Sequence, residues 1–97
     1  MAFLDKNPVT EHHTLIIPKK HYVNLYDIPE NELEQLLVVA KKITLQYQTD
    51  YDIQGVNVLH ASGAEAQQSI FHFHLHLVPR KSGEGLDHFL LPEGLGI

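Results

Sequence analysis

Histidine recurs at every second position in His72-Phe73-His74-Leu75-His76, inside an apolar run that closes on Val78-Pro79. Period two is the repeat of a β-strand, so all three imidazoles are expected on one face of one strand, roughly 6.5–7 Å apart. Phe71, Phe73, Leu75 and Leu77 then point to the opposite face, the buried one. Turning the histidines inward would desolvate three polar rings at once, which argues for this register. Imidazoles held at fixed spacing form a platform for nucleophilic, acid–base or metal chemistry.

The rest of the chain supplies the partners of that strand. With 97 residues and neither repeat nor linker, residues 1–97 read as a single domain with a modest core. Residues 1–5 are a short apolar start, and Asn7-Pro8-Val9-Thr10 signals a turn. The β-branched run over 13–17, stopped by Pro18, predicts a strand. Asp27 is the expected N-cap of a helix, with Pro29 in its first turn and Glu30 three residues on. Leu33, Leu36, Leu37, Ala40, Ile43 and Tyr47 follow at helical spacing, taking the helix to about Gln48. A second strand is expected over 56–60, a small-residue loop over 61–68, and then the histidine strand. Residues 82–85 read as a loop, and 86–97 show no period. Strand, helix, strand, strand gives an α+β domain with an antiparallel sheet and one long helix.

Composition narrows the function. A formal net charge of −5 argues against a nucleic-acid partner. The absence of cysteine excludes disulfides, thiolate catalysis and cysteine-ligated zinc. Apolar runs fall short of the ~18 residues of a membrane span, and no leader pattern is seen, so a cytoplasmic protein without membrane attachment is expected.

Three readings of the histidine run compete. The imidazoles could simply be the solvated side of a half-buried strand. They could ligate a metal, with His13 or His60 completing a tetrahedron. Or one could attack an electrophile while its neighbours donate protons. Gln67-Gln68-Ser69 places side-chain and backbone donors where the strand begins, which suits the oxygens of a transferred phosphoryl group. Gly63 permits a positive φ or close ligand approach in the same loop.

With these residues in view, the chain resembles the histidine triad (HIT) family. The signature of three histidines alternating with apolar residues is met by His72-Phe73-His74-Leu75-His76-Leu77-Val78, followed by Pro79-Arg80. Gly63…Ala66-Gln67-Gln68-Ser69-Ile70 resembles the family's approach to it. Ala2-Phe3-Leu4-Asp5, Asn7-Pro8-Val9-Thr10 and His13-Thr14-Leu15-Ile16-Ile17-Pro18-Lys19-Lys20-His21 resemble its other signature block. The similarity covers residues 2–80, leaving 81–97 as a C-terminal tail.

The resemblance implies a nucleotidyl hydrolase or transferase that removes a nucleoside monophosphate from a conjugate. His74 would attack the α-phosphorus, His76 would donate to the leaving group, and His72 would orient the site with His13 in support. Gln68, Ser69 and Gly63 would lie at the phosphate, and Asp5 at the ribose hydroxyls. No metal or other cofactor is required, although Mg²⁺ could accompany polyphosphate substrates. The implied partner is a purine nucleotide or nucleotide conjugate. The implied assembly is a homodimer, for which Leu36, Val39, Ile43 and Tyr47, with Val38, offer apolar helix surface.

The sequence departs from the family pattern in three places. It begins at the Ala-Phe-Leu-Asp block, so exposed sheet edge and apolar surface are expected there. Ala61 stands where an amide commonly contacts phosphate, with Ser62 and His60 as substitutes, and Gln67 replaces a glycine. These departures keep two alternatives in play, a nucleotide-binding protein with little turnover and a histidine-ligated metal protein.

Overall fold

The computed structural model describes residues 1–6 and 8–82. Its sheet consists of β1 (Ala2–Leu4), β2 (Thr14–Ile16), β3 (Gly55–Leu59) and β4 (Leu75–Arg80), and one helix, α1 (Glu30–Tyr51), links β2 to β3. The strand order is β1-β2-β4-β3, and every pairing is antiparallel. This is the expected α+β architecture. The apolar start proves to be a strand, and β1 leaves Met1, Phe3 and Leu4 exposed at the sheet edge, as expected there.

Period two does govern β4. Leu75 and Leu77 turn to α1 with Ile16, and with Phe73 and Ile53 they pack on Leu36, Ala40 and Tyr47. His76 lies on the other face, in register with Leu15 of β2 and Leu59 of β3. That face is not solvated, which corrects the expectation. Val9, Leu59 and Ala61 form a second, smaller apolar cluster, and His74 and His76 are both buried.

The strand also starts later than expected, at Leu75 rather than near Ile70. The Phe73 N–H is given to the Tyr22 carbonyl at 2.6 Å, and the His72 carbonyl takes Nδ1 of His74 at 2.8 Å. Groups that a ladder would pair are thus engaged elsewhere. Phe71, expected on the buried face, is 58% exposed.

The helix begins after Pro29, whose side chain provides no cap. Asp27 faces backward and accepts the N–H groups of Val23 and Asn24, so the expected N-cap holds the preceding turn instead. Those donors, Asn24 foremost, keep its carboxyl below the usual range. At the other end α1 runs three residues past Gln48 and stops at Asp52 in the left-handed conformation. Leu37, expected in the core stripe, is 50% exposed, as are Val38 and Leu45 to a similar degree. Leu36 and Tyr47, expected at a dimer surface, are instead buried in this chain's own core, with Val39 and Ile43 packed against it. The expected loop over 82–85 and the segment 86–97 lie outside the described residues, apart from Ser82.

Candidate functional site

Hydrogen-bond direction assigns the donor and acceptor nitrogens of His74, His13 and His76. A carbonyl oxygen only accepts, so Nδ1 of His74, 2.8 Å from the His72 carbonyl, carries the proton. In this tautomer the ring's lone pair resides on Nε2.

His13, just before β2, reaches His76 across the β2–β4 pair. Its backbone closes a turn on Thr10, and the residue before it, His12, sits at φ +69°, an uncommon conformation for a side-chain-bearing residue. Two hydroxyls hold this conformation. Tyr47 Oη and Thr14 Oγ1 reach the His12 carbonyl at 2.7 and 2.8 Å and lie 2.6 Å from each other. Burial pushes the Tyr47 phenol up, so it remains a protonated donor.

The fully buried His13 ring then takes the Val9 N–H on Nδ1 at 3.1 Å. Its one proton is left on Nε2, 2.8 Å from Nδ1 of His76. His76 must accept there, which moves its own proton to Nε2. That atom is buried and has no hydrogen-bond partner among the described residues. A buried polar hydrogen without an acceptor is costly and calls for an explanation. A ligand oxygen or nitrogen beside His74 provides one, since the His74 and His76 ring centres are 5.0 Å apart.

Asp5 completes this group from beyond the end of β1. Its Oδ2 lies 3.6 Å from His13 Nε2 and 3.9 Å from His76 Nδ1. The carboxylate opposes, without reversing, the effect of burial. Desolvation first, then His74 and His13, lower His76 to about 4. Desolvation likewise lowers His13 against the pull of Asp5. Both rings are neutral at pH 7.

Asp5, His13 and His76 offer ligand atoms within 4.8 Å of one another and are the place among the described residues where a metal ion could be held. The proton on His13 Nε2 does not fit that role, because the atom facing the cluster is a donor. Binding a metal there would require the Val9 contact to break.

The remaining predicted residues divide between this centre and its frame. His72 turns away from His76. Its Nδ1 is 3.0 Å from Nδ1 of His21, and its Nε2 is 3.4 Å from the Pro18 carbonyl. Gln68 is buried and acts as a clamp. Its Oε1 accepts from Gly63 N–H at 2.7 Å and Asn24 Nδ2 at 3.1 Å, and its Nε2 donates to the carbonyls of Val23 and Ile70. Gly63 adopts φ +91° and Ser69 is exposed. Ala61 is buried with Val9 and Leu59.

Two features were not legible in sequence. Tyr47 shows only as one more apolar position in the helix stripe, although its hydroxyl braces the His12 turn. His60, weighed there as a metal ligand or a stand-in for the amide missing at Ala61, places Nδ1 2.9 Å from the His74 carbonyl and Nε2 2.6 Å from Ser62 Oγ.

Comparison with known proteins places this geometry among relatives. The HIT domain family pattern matches residues 1–83. An uncharacterized HIT-like protein of Mycoplasma genitalium is 42% identical over 89 residues, covering 91% of this chain and 63% of that one. The adenosine 5'-monophosphoramidase HNT1 of Candida albicans is 42% identical over 84 residues, 82% of this chain and 55% of that protein. A zinc-bound histidine triad family protein from Mycobacterium smegmatis superposes with a TM-score of 0.83 at 35% identity, over 95% of this chain and 67% of that one. The chain spans 55–63% of the length of the first curated relatives it matches. Among the described residues no helix is long and apolar enough to cross a membrane.

Proposed function

The chain belongs to the HIT family, and from that premise we propose that it cleaves a nucleoside monophosphate, AMP first among candidates, from a phosphoramidate, dinucleoside polyphosphate or similar conjugate. The observation that carries this reading is the pairing of two complementary tautomers. His74 is anchored through Nδ1–H, so Nε2 holds a lone pair. His76 is anchored as an acceptor, so its buried Nε2–H has no partner among the described residues. One ring is set up to attack and its neighbour to donate.

In the proposed reaction His74 Nε2 forms a bond to the α-phosphorus as the bond to the leaving atom breaks. The charge gained by the imidazole is stabilised by the His72 carbonyl on Nδ1–H. His76, neutral at pH 7, hydrogen-bonds the departing atom, a contribution worth about 10²–10³ in rate in comparable oxyanion sites. Water then releases the nucleotide and restores His74. Ser69 and the Gly63 turn are the phosphate-side elements, while Gln68 keeps that loop in place. Asp5 serves the ribose hydroxyls and, through its proximity to His13 and His76, the electrostatics of the relay. None of these steps calls for a metal, and Mg²⁺ would enter only with a polyphosphate substrate. Self-association falls to Leu37, Val38 and Leu45, the apolar residues that α1 leaves exposed.

The relatives support the same chemistry in coarser form, since two yeast proteins at 40–42% identity carry the name adenosine 5'-monophosphoramidase. The test is intact mass spectrometry after brief mixing with an adenosine phosphoramidate and an alkaline quench. An added AMP in wild type and none in His74→Ala is the expected outcome. Bound AMP with neither adduct nor release over hours would favour a nucleotide-binding protein with little turnover.

A further inference from the structure

We propose that Ser62 is a second nucleophile, its hydroxyl activated by His60, that accepts a phosphoryl-class group independently of His74. The His60 tautomer follows from the same reasoning that fixed the triad. Its Nδ1 lies 2.9 Å from the His74 carbonyl, which only accepts, so Nδ1 carries the proton and Nε2 the lone pair. That lone pair faces Ser62 Oγ at 2.6 Å, so the serine hydroxyl donates to it. Nucleophile, base and orienting acceptor stand in a row, the arrangement that activates a serine wherever it occurs.

Four further observations suit this role. The His60 ring is stacked on Phe73 with centres 4.4 Å apart, which fixes its plane. Burial, the largest influence on the ring, lowers its affinity for a proton and keeps it a neutral base near pH 7. The loop beside Ser62 is also open. A Cβ built on Gly63 would meet nothing within 4 Å outside its two chain neighbours, so the loop is not packed over at the residue after Ser62. The Leu25 N–H, 3.0 Å from Oγ, steadies the serine without removing its proton.

The chemical class follows from position. Ser62 adjoins the Gly63 turn, which the proposed function sets at the phosphate side, and on that reading the matching electrophile is phosphorus(V) with a good leaving group. Ser62 Oγ forms a bond to phosphorus while the bond to the leaving group breaks, its electron pair departing with that group. The hydroxyl proton passes to His60 Nε2 and then to solvent. The product is a phosphoester of Ser62, stable in acid where a phosphorylated imidazole is not.

The full chain treated with an alkyl fluorophosphonate, with the adduct located by peptide mass spectrometry, tests this assignment. An acid-stable adduct on Ser62 is expected in wild type and also in His74→Ala, which retains the backbone carbonyl that orients His60. Ser62→Ala is expected to take none. His60→Gln and His60→Asn, whichever keeps the wild-type circular dichroism, should react at least tenfold more slowly. No adduct on Ser62 in wild type, an adduct on a residue other than Ser62 or His74, or an undiminished rate in the folded His60 variant overturns the proposal. Because His74→Ala is expected to label, failure here is distinguishable from failure of the nucleotidyl reading above.

Discussion

His13 donates its Nε2 proton across 2.8 Å to Nδ1 of His76, because the Val9 N–H already occupies Nδ1 of His13. A backbone amide in an irregular segment thereby decides which nitrogen of His76 carries the proton. His13→Ala removes that donor, leaving His76 able to take a proton on either nitrogen. The rate of adduct formation is expected to fall about tenfold to a hundredfold, the usual cost of a misplaced catalytic group. Ring ¹⁵N shifts provide the diagnostic measurement, with one tautomer of His76 in wild type and a mixture in the variant. A rate loss with the tautomer unchanged would refute the relay.

Stability should depend on pH through the same pair. His76 is held at about 4 in the folded protein and ionises near 6.5 when unfolded. Between those values the unfolded chain binds the extra proton, so stability is complete above pH 6.5 and declines as pH falls toward 4. His13 and His60 are lowered as well and act in the same direction. Urea unfolding at pH 7 and pH 4.5 is expected to differ by about 2–3 kcal/mol. His76→Gln should flatten much of that slope. A midpoint independent of pH over this interval would contradict the neutral buried state.

The sequence carried the triad because period two survives any change in surroundings. Side chains on β4 do alternate between α1 and the other face, as Leu75 and Leu77 against His76 demonstrate. What alternation cannot express is whether the second face is covered. Here residues far along the chain, Asp5, Val9 and His13, meet it, so His76 is buried rather than solvated. The same limit explains Phe71 and Asp27. Each obeys a local rule that a distant or adjacent backbone contact overrides, the Phe73 bond to Tyr22 in one case and the Val23 and Asn24 amides in the other. Hydroxyl roles are less legible still. The pattern in α1 marks Tyr47 as apolar and carries no trace of its bond to His12.

That bond yields a prediction of its own. Tyr47→Phe keeps the ring in the core and removes only the hydroxyl that holds the His12 carbonyl at 2.7 Å. Thr14 retains its own contact to that carbonyl. The variant is expected to lose about 1–2 kcal/mol of stability and to broaden the His13 ring signals, since His12 at φ +69° is strained without support. Wild-type stability with sharp His13 signals would show that Thr14 suffices.

The proton on His13 Nε2 also bears on metals. Asp5, His13 and His76 are close enough to chelate, yet a cation must displace that proton and the Val9 contact. A chelator is therefore expected to leave phosphoramidate cleavage within about twofold of untreated protein, whereas added zinc should inhibit by disrupting the His13–His76 pair. Activity lost to the chelator and restored by zinc would instead support the metal-protein reading.

Gln68 provides the sharpest separation of frame from chemistry. The family resemblance sets it at the phosphate, but its amide is bonded to Gly63, Asn24, Val23 and Ile70. Two loops that flank the triad are joined through this one side chain. Gln68→Ala strands several of those groups and opens a polar gap, so a loss of about 2–3 kcal/mol is expected, equivalent to about 10–20 °C in Tm for a domain of this size. If the amide is a clamp, the folded fraction at low temperature should still form the AMP adduct at a rate near wild type. A variant as stable as wild type but unable to bind AMP would return Gln68 to the phosphate.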